Sequence, residues 1–203
     1  MRYPNRRQEK KLHRRGHRFI VGLDEAGKGS WAGPIVAGAV ILDPKIKISG
    51  IKDSKLLRQP DRQKLFKEIT KLALGWSIGV VSNKTIDRIG ITEANRLAMI
   101  KALEKLDPQP DYLLIDAVKL EYQNLKSSSI IDGDHKVTSI AAASIIAKVS
   151  RDQLLDEYDE TFPQWGFKQH KGYGTAHHFH MINQHGICDI HRQSFRPIKD
   201  FLN

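Results

Sequence analysis

Asp24 and Glu25 stand side by side at the end of an apolar run, Ile20-Val21-Gly22-Leu23, and the glycine-rich Gly27-Lys28-Gly29 follows almost at once. Adjacent carboxylates repel one another in a folded protein unless a proton or cation offsets the charge, so this pair points to a divalent metal. The glycines open backbone conformations closed to other residues and leave no side chain between the turn and a ligand. Bare N–H groups in such a turn can meet an anion or a sugar. A second apolar run, Tyr112 to Ile115, also ends in an acid, Asp116. A third acidic position precedes a long stretch of small residues, where Asp132 and Asp134 compete and spacing does not choose between them. Taken alone, Asp116 reads equally well as a turn former or helix cap.

Toward the C-terminus, Gly172-Tyr173-Gly174 holds a tyrosine between glycines. Such a ring either stacks on a sugar or base, or packs into its own turn. His177, His178 and His180 lack the i, i+4 spacing and the cysteine partners of a zinc site, which argues against one here. The single Cys188 has no partner for a disulfide and suits a reducing compartment, hence a cytoplasmic location.

The elements that must carry these residues follow from periodicity. Phe19 to Leu23 and Ile35 to Leu42 are near-continuous apolar segments and predict adjacent buried strands in the middle of a sheet. Pro60 opens a helix with Leu65, Ile69 and Leu72 on its inner face, which Gly75 is expected to stop. Trp76, Ile78 and Val80 alternate with Ser77 and Gly79 as a strand covered on one face. Thr92 is placed to cap a helix whose inner stripe is Leu97, Ile100, Leu103 and Leu106. If the strands ending in Asp24 and Asp116 are parallel neighbours, their acids meet where open α/β sheets hold ligands. From Thr138 a helix, apolar all round in its first half, runs on until Pro163 and Gly166 end it. Thr175 caps a shorter one, closed by Gly186.

The 203 residues, 40 % hydrophobic and 28 % charged, suit one sizeable core, and no apolar run approaches bilayer length. A membrane role is therefore not expected. Charge is uneven. Of the net +10, residues 1–18 supply +7 through Arg2, Arg6, Arg7, Lys10, Lys11, Arg14, Arg15 and Arg18 against Glu9. Residues 1–17 are expected to form a flexible basic arm, either a polyanion-binding segment or a solubility tail. The folded domain then spans 18–203, with a core to about residue 161 and a C-terminal region from about 162.

Three classes of function compete. Gly22 to Lys28 fits the opening of a phosphate-binding loop, but Gly29 replaces the hydroxyl that should hold magnesium, and Asp24 and Glu25 would repel phosphate. A noncatalytic nucleic-acid module accounts for the basic charge and leaves the acids idle. A metal-dependent phosphodiesterase uses both.

Here the residues resemble a known family. Asp24-Glu25-Ala26-Gly27-Lys28-Gly29 with Ala32-Gly33-Pro34, then Asp53-Ser54-Lys55-Leu56, Ile115-Asp116, Gly133-Asp134, Ser139 to Val149 with Arg151-Asp152, Gly172-Tyr173-Gly174-Thr175 and Ser194-Phe195 are similar, in the same order, to the motifs of ribonuclease HII. The resemblance runs from residue 20 to about 197 and leaves the basic arm outside. It implies an α/β ribonuclease H-like fold, a central mixed sheet flanked by helices with a small helical C-terminal region. It implies Asp24, Glu25, Asp116 and Asp134 as catalytic metal ligands for two Mg²⁺ or Mn²⁺ ions. Gly27, Lys28 and Gly29 correspond to the turn that grips the ribose 2′-hydroxyl through its backbone, Tyr173 to the ring against the following deoxyribose, and Lys55 to a further substrate contact. Lys28 stands where the family usually has Arg, keeping the charge without the planar fork, and Ser30-Trp31 where Pro-Leu is usual. The implied partners are RNA/DNA hybrids and duplex DNA with embedded ribonucleotides, cut by a monomer on the 5′ side of a ribonucleotide to leave 3′-hydroxyl and 5′-phosphate ends. The implied role is ribonucleotide removal in DNA replication and repair.

Overall fold

Strands as uniformly apolar as Ile35–Leu42 are stable only where both faces are covered. In the computed structural model, which describes residues 3–202, β1 (Ile20–Ala26) and β2 (Ile35–Leu42) pair antiparallel with Leu23 opposite Ala39. β3 (Ala73–Val81) continues antiparallel beyond β2. On the other side β4 (Tyr112–Asp116) lies parallel to β1, and β5 (Ser127–Ile130) parallel to β4, giving the order β3-β2-β1-β4-β5. The register sets Leu23 beside Ile115, so Asp24 and Asp116 leave neighbouring parallel strands at the same end.

Helices cover both faces of this mixed sheet. The N-terminal α1 (Arg7–His13) comes first, followed after β2 by α2 (Gln59–Leu72), and after β3 by α3 (Asn83–Ile89) and α4 (Ile91–Glu104). Beyond β5 come the single turn α5 (Gly133–Lys136) and the 24-residue α6 (Thr138–Thr161). On one face Ala98, Met99, Ala102 and Leu103 of α4 pack on Val21, Leu23, Ala37 and Ala39. On the other, Ala142, Ile145, Ile146 and Val149 of α6 share a core with Leu65 and Ile69 of α2 and Val40 of β2. Each Leu or Ile buried this way contributes roughly 1.5–3 kcal/mol. α6 crosses the sheet at backbone contact: a Cβ on Gly22 would strike the Ser139 backbone, and one on Gly38 the carbonyl of Ala143. The short α7 (Phe167–His170) and α8 (Ala176–His185) form the C-terminal region with their own core of Leu155, Trp165, Phe167, Ile182, Ile190 and Ile198. As expected, the side chain of Thr175 accepts from the His178 N–H and Gly186 closes α8.

Several local expectations fail for identifiable reasons. The α2 helix stops at Leu72, and Gly75 lies inside β3. There Gly75, Ser77, Gly79 and Val81 are the more buried set, because a Cβ on Gly79 would strike Ala98 and the Ser77 hydroxyl donates to the Ala102 carbonyl at 2.6 Å. Trp76, expected on the covered face, is 39 % exposed. Gly90, not Thr92, precedes α4, and Ser82 caps a helix, α3, that the periodicity did not suggest. Leu103 and Leu106 of the expected stripe are buried, but Leu97 and Ile100 sit at the margin of the α4 contact, where Ala94, Ala98, Met99 and Ala102 are buried in their place.

The N-terminal arm is the largest correction. Residues 1 and 2 lie outside the described residues. From Asn5 onward the segment is docked rather than flexible: Asn5 bridges to Val137, Leu12 packs with Ile20, Leu114, Val137 and Ile140, and Glu9 is buried. Its cations Arg7, Lys10, Lys11, Arg14 and Arg15 stay exposed.

Candidate active site

Hydrogen bonding across the sheet fixes β1 against β4, and this pairing brings the first two acidic positions together. Asp24 is buried, and its Oδ1 accepts from the Glu25 N–H at 2.7 Å. Burial first, then the charges of Glu25 and Asp116, hold the Asp24 carboxyl well above the ordinary carboxylate range. Asp116 is also raised, by burial, although the Gly133 N–H donating to its Oδ1 at 2.7 Å works the other way. That bond ties β4 to α5, which presents Asp134, itself buried and raised by burial and by Asp53 and Asp116. Asp132, the rival position, has left-handed backbone and turns outward toward Lys136, 4.0 Å away. Glu25 lies at the mouth with its Oε1 3.7 Å from the Lys28 ammonium, while its Oε2 is buried without a hydrogen-bond partner.

Two more residues join from the connection after β2. Asp53 is buried, and its ligand atoms and those of Asp134 and His135 all lie within 4.8 Å of one another. The resemblance implies only Lys55 from this Asp-Ser-Lys motif; Asp53, two residues earlier, stands here as well. Lys55 is exposed. Burial opposes its charge, but Asp53, Asp134, Asp24 and Asp116 outweigh that and hold its ammonium above the ordinary lysine value. Crowded, partly desolvated carboxylates with an orphaned buried oxygen among them fit a divalent cation, whose charge would offset what the protein leaves unpaired.

Beside the acids, Gly27 takes a positive φ of 91°, and a Cβ there would strike the Arg151 side chain. Lys28 and Gly29 are exposed, with open space around Gly29. The Gly172–Gly174 loop is fastened to this turn through Trp31, whose N–H donates to the Gly172 carbonyl at 2.8 Å and whose ring fills the space a Cβ on Gly174 would need. Tyr173 is half-buried, its ring flanked by Lys148 and Arg151 at 5.2 and 5.3 Å from the centroid. Beneath it, His178 Nδ1 lies 3.0 Å from the Tyr173 carbonyl, and its Nε2 3.1 Å from Nε2 of His191. Burial, then His170, lowers His178 to about 3, so the neutral ring donates its Nδ1–H to that carbonyl. His177 and His180 are exposed and His178 is buried, with His170 lying between the rings of His177 and His178 at 5.7 and 4.1 Å.

The glycine turn, the ring and the four acids thus come from β1, β4, α5 and the loop before α8. Comparison with known proteins gives the family. The family model of ribonuclease HII matches residues 21–198. The chain is 51 % identical over 194 residues to ribonuclease HII of Acetivibrio thermocellus, covering 96 % of this chain and 75 % of that one. It is 47 % identical over 203 residues to ribonuclease HII of Dehalococcoides mccartyi, covering 98 % and 96 %. In three dimensions it is similar to the ribonuclease H2 of Pyrococcus horikoshii OT3, with a TM-score of 0.76 and 26 % identity over 91 % of this chain and 97 % of that one. The chain belongs to the ribonuclease HII family and is a ribonuclease H endonuclease.

Proposed function

We propose that this endonuclease incises on the 5′ side of a ribonucleotide, in RNA/DNA hybrids and in duplex DNA with embedded ribonucleotides, leaving 3′-hydroxyl and 5′-phosphate ends. The observation that carries this reading is the placing of four carboxylates, Asp24, Glu25, Asp116 and Asp134, directly beside an open glycine turn. Held by these acids, two Mg²⁺ or Mn²⁺ ions would supply the activation of water and the neutralisation of phosphate charge. The chain's own residues do the rest. Asp24 and Asp116 are fixed by sheet register and by the Gly133 N–H, so the ligands are preorganised. Lys55, kept charged by the acids, suits a nonbridging phosphate oxygen. The backbone of Gly27-Lys28-Gly29 meets the ribose 2′-hydroxyl, and Tyr173 supports the next sugar. A site built to hydrogen-bond that hydroxyl rejects a deoxynucleotide, by as much as roughly 10⁴–10⁵ in rate.

We read the enzyme as a monomer acting in the cytoplasm on ribonucleotides left in DNA; one chain carries every group the proposed site needs. Asp24→Asn or Asp116→Asn, each removing a charge with little change of volume, is expected to abolish nearly all cleavage while binding to a hybrid persists. Cleavage assays beside binding titrations check this; near-parental turnover in either variant would remove that residue from the site.

A further inference from the structure

Arg151 and Arg192 head the fully buried side chains, both at 0 % exposure, and the hydrogen bonds of both guanidinium groups run to backbone carbonyls rather than to acids. Arg151 donates to Pro34, Lys171 and Ala32 at 2.9–3.1 Å, clamping the turn after β1 to the tyrosine loop. Arg192 donates from Nε to the Gly33 carbonyl and from Nη1 to the Lys28 carbonyl, each at 3.0 Å, and its Nη2 is buried with no partner. Burial, then the like charge of Arg151, lowers Arg192 to about 9. Holding a guanidinium in this environment is costly.

Its position is nonetheless defined from several sides. The Arg192 N–H donates to the Trp31 carbonyl at 2.7 Å, and Asn83 Nδ2 to the His191 carbonyl at 3.2 Å. The Asp87 carboxylate of α3 accepts the N–H groups of Gln193 and Ser194 at 3.0 Å and the Ser194 hydroxyl at 2.6 Å. The segment that follows α8 is thereby pinned so that one guanidinium N–H ends on the middle carbonyl of the glycine turn. A charged donor on the Lys28 carbonyl polarises the whole Lys28–Gly29 peptide, and polarised hydrogen bonds reinforce one another along a chain. The other end of that peptide is the N–H of Gly29, an exposed residue at which an added Cβ would meet nothing within 4 Å.

We propose that Arg192 is a positioning residue for ribose recognition: it fixes the plane of the Lys28–Gly29 peptide and strengthens its N–H as a donor to the ribose 2′-hydroxyl. This rests on the reading of the Gly27-Lys28-Gly29 turn given above. Arg192 touches no substrate. Its effect is confined to the difference between a ribonucleotide and a deoxynucleotide at one sugar, whereas a merely structural role would alter binding of both alike.

The test measures binding of full-length protein, in Ca²⁺ to prevent cleavage, to a DNA duplex with one ribonucleotide and to the same duplex without it. Arg192→Lys and Arg192→Gln are expected to lose about tenfold or more of the parental preference for the ribonucleotide duplex, the scale of one hydrogen bond to a charged group. Affinity for the all-DNA duplex should be unchanged. Gly29→Pro, which deletes the N–H itself, should lose the preference too. If Gly29→Pro loses it and both Arg192 variants keep it, the role of Arg192 is overturned and the reading of the turn stands. If Gly29→Pro keeps it, that reading fails and the proposal with it. Should neither Arg192 variant fold, the unaltered protein decides. A through-hydrogen-bond NMR coupling from the Arg192 guanidinium to the Lys28 carbonyl carbon, with a downfield shift of the Gly29 amide on adding the ribonucleotide duplex, supports the role. Absence of either overturns it.

Discussion

Asp24 shows how a buried carboxylate among other acids conflicts with stability. Its folded-state affinity for a proton lies well above the ordinary carboxylate value because burial and the neighbouring acids penalise its charge. The sign follows: without divalent metal, the fold is favoured while Asp24 is protonated and loses stability as pH rises through that raised value. Asp24→Asn removes this loss and keeps an oxygen for the Glu25 N–H. In EDTA the variant should therefore melt above the parent at pH 8, by about 2–4 °C for each kcal/mol recovered, with the gap narrowing toward pH 4. Melting curves across that range check it; a variant less stable than the parent at pH 8 would show that the carboxylate is not under electrostatic strain. The approach of Asp24 to Asp116 was legible in the sequence because each follows an apolar run and the two runs are parallel neighbours. Asp132 against Asp134 was not legible by spacing, since the choice turns on a left-handed backbone at Asp132 that faces it outward. The contacts of Asp53 with Asp134 and of Arg192 with Lys28 were also hidden, because these partners lie 81 and 164 positions apart in the chain.

At the scale of elements, α1 is the clearest case of tertiary contact overriding composition. Its sequence Arg7–His13 is dominated by charge and shows one large apolar side chain, Leu12, too few for periodicity to reveal an inner face. What folds it is the socket it meets: Leu12 enters the cluster of Ile20, Leu114, Val137 and Ile140, and Glu9 Oε1 accepts the Ser139 N–H at 2.9 Å in the first turn of α6. A carboxylate there satisfies a helix donor that would otherwise lack a partner and complements the positive end of the helix. Glu9→Ala should cost about 0.5–2 kcal/mol, as for a lost cap, and thermal denaturation will show it as a lowered midpoint. An unchanged midpoint would mean that the segment is a passive tail. The long α6 was legible from end to end, because its small residues and its Pro163 and Gly166 stop are local signals. The serine-rich β5 carried no such signal; it is a strand because the edge of β4 offers hydrogen bonds to it.

The whole molecule gathers its site from segments far apart in sequence and locks them by backbone contacts: α6 against Gly22 and Gly38, Arg151 and Arg192 on the carbonyls of the turn after β1, and Trp31 on the tyrosine loop. Strand composition pointed to adjacent buried strands, while the mixed sheet with helices on both faces was implied by the resemblance to ribonuclease HII, which family and fold alike match. Among the described residues no helix is long and apolar enough to cross a membrane. Recognition of one ribose and hydrolysis of the bond before it are the function proposed for this site. The most direct measurement is end-mapping of the products from a DNA duplex carrying a single ribonucleotide, incubated with Mg²⁺ or Mn²⁺ and, in parallel, with EDTA. A single metal-dependent incision is expected on the 5′ side of the ribonucleotide, with a 3′-hydroxyl upstream and a 5′-phosphate on the ribonucleotide. Cleavage on its 3′ side, a 2′,3′-cyclic phosphate end, or undiminished cleavage in EDTA would contradict it.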